Sequence, residues 1–326
     1  MDAEDSPDNT VLIHHSTRRL TPTISQHTFH PFPQNRDHIS WRPSQHLELQ
    51  FPADLDLIGG EKALDDERRR IRVTPCSPPL RMTRPPRDGD CEKEHEDDDG
   101  MVVFITRSGS VTGLVGLPRF RSLTVQVVGA GGGFDLGGLS SSSLPPPHSP
   151  PACLVCVAGG IGICAFLSFS SISRSHGVPR RTLLWSLHAD DFELLPHILR
   201  QRFLDRCQWT TIRIFLTSGV EPLERKTLTS LGQKCDDIAA QVRKSGTPTT
   251  LHFSFGRMAM ADLSAAATAE DRELGEGKSS KNTLLSHPAS PPTVLFCGSK
   301  ALEWQIKMWA LKMTPPWPIQ TTQIQR

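Results

Sequence analysis

The stretch "CLVCVAGGIGICAFLSFSS" (153–171) is the most apolar in the sequence, and Gly159, Gly160 and Gly162 sit at its centre. The pattern predicts a buried strand ending at Ala158, a tight turn over Gly159 and Gly160, and a helix beginning near Ile163. Without a Cβ, such a turn lets a backbone N–H approach a phosphate, and the positive end of the next helix faces the anion. A Gly-Gly-x-Gly turn also serves as a plain structural corner. Further on, "TVLFCGS" (293–299) predicts a second buried strand that ends on Cys297 and Gly298. A third stretch, "VVFITRSGSVTGLV" (102–115), carries Gly109, Ser110, Val111 and Thr112 after the β-type run "MVVFIT" (101–106).

The elements around these residues fall into two groups. From 21 to 135 the chain shows short β-type runs, "HLELQF" (46–51), "MVVFIT" (101–106) and "LTVQVVG" (123–129), with few helical patterns. A small antiparallel β-barrel is the expected architecture. Charged insertions at 58–70 and 81–100 interrupt it, and the acidic run in the second reads as a solvated loop. Residues 136–151 are a Ser/Pro/Gly linker.

From 152 to 313 strands alternate with helices: "CLVCVA", "RTLLWSL" (181–187), "TIRIFLT" (211–217), "TTLHFSF" (249–255) and "TVLFC". That alternation predicts a doubly wound parallel sheet. In "HADDFELLPHILRQRF" an apolar face of Phe192, Leu195, Leu199 and Phe203 predicts a helix capped by Asp190 or Asp191. Another helix is expected over 301–313. Residues 1–20 are expected as a disordered tail, 264–292 as a flexible insertion and 314–326 as a C-terminal tail.

The bulk numbers bound the function. The chain has 326 residues, room for two domains, but 37% hydrophobic content and 27 prolines point to substantial loop. A net charge of +1 gives no reason to expect nucleic acid or a charged membrane surface as a partner. The acidic start "MDAEDSPDNT" does not resemble a secretory signal, and a cytoplasmic location is expected. The apolar stretch at 153–171 is not expected to span a membrane, because its glycines and the strand–helix units that follow fit an α/β domain. Eight scattered cysteines include a CxxC at Cys153 and Cys156, which reads as buried thiols rather than a metal site. No cysteine quartet has iron–sulfur spacing.

"VAGGIGICAFLSF" resembles the "AGGxGIxPxxS" segment of the ferredoxin–NADP reductase superfamily. Other segments are similar to that superfamily's signposts in its own order: "WRPSQHLELQF", "VTPCSPP", "VVFITRSGSVTGLV", "RTLLWSLHADDFELL", "IRIFLTSG", "FGR" (255–257) and "TVLFCGSKALEWQIKMW". The resemblance spans roughly residues 21–313. It implies an FAD-binding β-barrel followed by an NAD(P)-binding domain, and transfer of a hydride from NADH or NADPH to FAD. The acceptor beyond the flavin is an unidentified protein or small molecule.

The resemblance also implies roles. Gly109, Ser110, Val111 and Thr112 would face the FAD pyrophosphate, Arg72 would clamp phosphate, and Thr74 would bond the flavin or ribityl region. Gly159, Gly160, Gly162, Ile163 and Gly298 would bind the nicotinamide nucleotide. Cys297 would stand beside the hydride path as the catalytic residue; a plain core thiol at a strand end is the other reading. The chain departs from the pattern in three places. It has no Tyr, and Val73 stands where the flavin-stacking ring is usual. With Thr74 in register the usual Arg place is Ile71, so Arg72 fits only after a one-residue slip. Cys164 replaces the usual Pro. His46, Phe134 and Trp317 are the rings available as substitutes. His188, Asp190 and Asp191 after the second strand favour NADH over NADPH.

Overall fold

A computed structural model describes residues 10–32, 41, 44–52, 69–77, 101–107, 123–134, 153–167, 180–200, 209–219, 225–268 and 291–322. The expected insertion at 81–100, the linker at 136–151 and the Gly109–Thr112 turn lie outside these residues, as does Phe203. The chain divides into two compact units: Met1–Gly133 with Cys164–Ser171 and Ile324–Arg326, and Phe134–Ile163 with Ile172–Gln323.

The first unit holds an antiparallel sheet of β1 (Thr10–Arg19), β2 (Ile24–Pro31), β3 (His46–Gln50), β4 (Arg70–Val73), β5 (Val102–Arg107) and β6 (Thr124–Gly131). The strand order is β4-β3-β6-β1-β2-β5. Just past β4, Pro75 bridges Phe104 of β5, and the Cys76 N–H donates to the Val103 carbonyl at 2.7 Å, so the two ends of the sheet meet. Alternate residues supply the core, among them Leu12, Phe29, Leu47, Leu49, Phe104 and Val125. This period-two burial is what a barrel requires of strands with one wet face.

The second unit holds a parallel sheet in the order β10-β9-β8-β7-β11-β12. Its strands are β7 (Cys153–Gly159), β8 (Arg180–His188), β9 (Thr211–Thr217), β10 (Thr250–Phe255), β11 (Thr293–Cys297) and β12 (Ile319–Thr322). The described helices in chain order are α1 (Cys164–Leu167), which belongs to the first unit, and then, in the second, α2 (Leu194–Arg200), α3 (Arg225–Lys244), α4 (Met260–Thr268) and α5 (Lys300–Lys312). Strand β7 is buried along almost its whole length, as a central parallel strand covered on both faces must be. Cys153 and Cys156 are three apart on it and so point to opposite faces, which rules out a shared ligand set.

Several expectations are corrected. Residues 10–19 are strand β1 rather than tail; the β-branched, alternating "TVLIH" buries Thr10, Leu12 and His14. Residues 319–322 form β12, which pairs with β11 and extends the sheet beyond the expected tail. The expected insertion at 264–292 begins inside helix α4, where "MADLSAAAT" has high helix propensity and Asp262 accepts from the Ala259 N–H at 2.8 Å. The segment after β8 starts with a 3-10 turn, Ala189–Asp191, capped by the His188 ring instead of an Asp, and Asp191 is buried. The buried face of α2 is Leu194, Leu195 and Ile198, one residue off the expected stripe, with Phe192 buried just before it. Helix α3 was not anticipated; it buries Leu231, Cys235 and Ile238 at i, i+4, i+7 spacing.

Candidate functional site

In the second unit the chain runs β7, β8, β9, β10 outward on one side, then returns to place β11 on the other side of β7. The strand order therefore reverses between β7 and β11, and ligands of doubly wound folds gather at the carboxyl ends of such a pair. There Cys297 stands opposite Ala158 in register, so Gly298 and Gly159 follow side by side. The approach is too close for side chains: a Cβ on Gly298 would lie 3.1 Å from Gly159 backbone atoms. A Cβ on Gly162 would lie 2.1 Å from the Cys297 carbonyl oxygen. Gly160 adopts φ 54° and would meet nothing within 4 Å, so the crest of the turn is open.

The turn differs from expectation in detail. Gly160–Ile163 is a 3-10 turn, and α1 starts one residue later at Cys164. Gly162 and Ile163 are buried. Trp185 of β8 donates its indole N–H to the Gly160 carbonyl at 2.9 Å and so fixes the turn from the neighbouring strand. No motif marks Trp185; the cue in the sequence is only a Trp in the middle of an apolar strand.

Cys297 is 0% exposed at the end of β11. The other described cysteines, Cys76, Cys153, Cys156, Cys164 and Cys235, are buried too. Burial, then the nearby Asp236, pushes the Cys235 thiol up to about 11, so it is no nucleophile at neutral pH. At the end of β8 the His188 Nδ1 lies 3.3 Å from an Asp190 carboxylate oxygen and accepts from the Asp190 N–H.

The first unit places its own group of residues on the outward face of β3, β4 and β6. Glu48 faces Arg72 and Gln50 faces Arg70 across the β3–β4 pair. Arg72 donates through Nε to Glu48, and Arg70 donates through Nε to Gln50 at 3.2 Å. On the other side of β3, His46 pairs with Gly131 and Glu48 with Gly129. A Cβ on Gly131 would lie 3.4 Å from the His46 ring, and one on Gly129 3.5 Å from Glu48. The result is a glycine floor beside a row of His46, Glu48 and Arg72. Burial first, then the Arg72 charge, holds the His46 imidazole below its usual range, against an opposing pull from Glu48.

Val73 is in the barrel core and Ile71 packs against it, whereas Arg72 points outward. An arginine in the Ile71 place would face the core, whereas Arg70 and Arg72 both stand on the wet face. Thr74, two residues on, is buried. Of the three substitute rings, Phe134 is buried and Trp317 packs against the core of the second unit, while His46 stands on the outward row. Glu48 was missed; the alternation of "HLELQ" against "RIRV" is the signal that could have found it, since it sets acid against base on one face.

No protein-family model matches the chain, and no curated protein matches it in sequence. Solved structures do share its fold. The CS-b5R domains of human Ncb5or in the NAD+ form are 13% identical at a TM-score of 0.50, over 95% of this chain and 68% of that one. The flavohem-like FAD/NAD binding domain of nitric oxide dioxygenase from Vibrio cholerae O1 biovar El Tor is 11% identical at 0.50, over 97% and 99%. An intact type IV self-sufficient cytochrome P450 monooxygenase is 12% identical at 0.51; this chain spans only 28% of that protein. The likeness is one of fold. The antiparallel sheet and the separate parallel sheet define the two-domain ferredoxin–NADP reductase-like fold, in divergent form.

Proposed function

We propose that the chain is a flavin-dependent oxidoreductase that moves a hydride from NADH or NADPH to FAD and on to a separate acceptor, a protein or a small molecule. The observation that carries the reading is the glycine turn at the β7–β11 switch point, where Gly159, Gly160, Gly162, Cys297 and Gly298 converge. The residues fit a dinucleotide: the open crest at Gly160 leaves room for a phosphate against backbone N–H groups. His188 and Asp190 at the end of β8 would receive a ribose hydroxyl, which favours NADH.

FAD, when bound, accepts the hydride and passes electrons on one or two at a time. Arg72, oriented by Glu48, would pair with its phosphate, and Thr74 would bond the flavin or ribityl region. Gly109–Thr112 would cradle the pyrophosphate. A second reading, a catalytically decayed relative that keeps the fold as a binding module, is favoured by one observation: Val73 is locked in the core where the family's ring is usual.

The purified protein is expected to absorb as a flavoprotein, to release FAD on denaturation, and to lose occupancy several-fold in Arg72→Ala but not in Arg70→Ala. A protein that stays colourless after incubation with excess FAD supports the second reading. Occupancy lost only in Arg70→Ala would show that the register is wrong and that Arg70 is the clamp.

Cys297→Ala is expected to leave flavin content and melting temperature nearly unchanged while slowing flavin reduction by NADH at least ~10-fold, equivalent to ~1.4 kcal/mol of barrier. Stopped-flow absorbance measures this. Reduction at the parent rate would make Cys297 a core thiol.

A further inference from the structure

The +1 net charge of the whole chain conceals one face that is cationic and apolar at once. Helix α5 packs inward through Glu303, Ile306 and Ala310. Its opposite face carries Trp304, 67% exposed, Leu311, 64% exposed, and Met308 beside them. These residues stand at i, i+4 and i+7, which is one stripe on a helix. At 100° per residue, Lys300 and Lys307 lie along one side of the stripe and Lys312 along the other, all three exposed. The only acid in the helix, Glu303, is buried and accepts from Lys307 at 2.6 Å. The exposed face therefore shows lysine, tryptophan, methionine and leucine, and its one acid, mostly buried, offsets the Lys307 charge.

We propose that this face of α5 is a docking surface for an anionic lipid bilayer, on which the protein lies peripherally. Two features select a bilayer over a protein. The first is charge: Lys300 and Lys312, with Lys307 already paired to Glu303, flank an exposed Trp and complement anionic headgroups, with the indole at the polar–apolar boundary. The second is shape and size. Thirteen residues make a rod about 20 Å long, convex, with three large apolar side chains. A stable protein complex needs roughly 800 Å² from each partner and a matching shape, more than one such helix face supplies. A bilayer demands no matching shape; its affinity follows apolar area and lysine count. No described helix is long and apolar enough to cross a membrane, so the contact is with the surface.

The test is co-sedimentation of the full-length protein with phosphatidylcholine vesicles, with and without phosphatidylserine, at low and high salt. The expected result is sedimentation with the phosphatidylserine vesicles only, released by salt as screened charges require. Trp304→Ser with Leu311→Ser should cut the bound fraction at least about fivefold, with an unchanged circular dichroism spectrum. Lys300→Glu with Lys312→Glu, which touches no apolar side chain, should do the same and serves if the first pair misfolds. Failure to sediment with any vesicle, or binding unchanged in both pairs, overturns the proposal. Retention on immobilised polyglutamate that depends on Trp304, without vesicle binding, would assign the face to an acidic protein and also overturns it.

Discussion

Gly162→Ala is expected to cost about 3 kcal/mol or more of stability in the second unit and to abolish measurable NADH binding. The added Cβ would stand 2.1 Å from the Cys297 carbonyl oxygen and 2.7 Å from its carbon. Neither atom is the far end of a flexible side chain. Both belong to β11, which is held in register with β7 from Thr293 opposite Leu154 to Cys297 opposite Ala158. Overpacking that side chains can absorb costs ~1–3 kcal/mol, and here the backbone must move instead. Gly160→Ala is the control. It meets nothing within 4 Å, and only its left-handed φ of 54° opposes a side chain. That strain is worth ~1–2 kcal/mol, so the variant should fold. Thermal unfolding by circular dichroism, with calorimetric titration of NADH, separates the two. A Gly162→Ala protein that melts with the parent and binds NADH would show that the turn can retreat from β11.

Acid is expected to destabilise the first unit by about 3 kcal/mol between pH 6.5 and pH 4, through His27. The irregularity between His14 and Ser16 in the β1–β2 register brings His14 and Thr17, three apart, to one side. The His14 Nε2 and Thr17 Oγ1 are 2.8 Å apart, and Thr17 Oγ1 and His27 Nδ1 are 2.9 Å apart. On its other nitrogen His27 meets Thr106 Oγ1 at 3.0 Å. Only 3% of His27 is exposed. Burial first, and then His14, lower its pKa from 6.5 to about 4. In the unfolded chain His27 titrates near its ordinary value, so between the two values the unfolded state holds the extra proton. The contribution is complete above pH 6.5 and disappears as the pH falls through the folded value. Urea unfolding across that range should show the slope, and His27→Gln should flatten it. A parent profile as flat as that of the variant would remove His27 from the account.

The sequence alone determined most of what depends on local pattern. Apolar or alternating runs of five to nine residues bounded by Gly, Pro or charge become strands whether or not their partners are known, and the alternating "HLELQ" and the apolar "TVLFC" and "RTLLWSL" all do. The alternation of strand and helix carried the parallel sheet with it, and three glycines marked the turn that closes on β11. What only the tertiary structure decided depends on which residues become neighbours. The outward direction of Arg72 follows from pairing β4 with β3, since one step along a strand reverses the face. The strand at 319–322 exists because β11 satisfies its backbone groups, a need that no local propensity expresses. The Trp185 brace, the His27 chain and the basic stripe on α5 arise in the same way, from residues that the fold, and not the order of the chain, sets side by side.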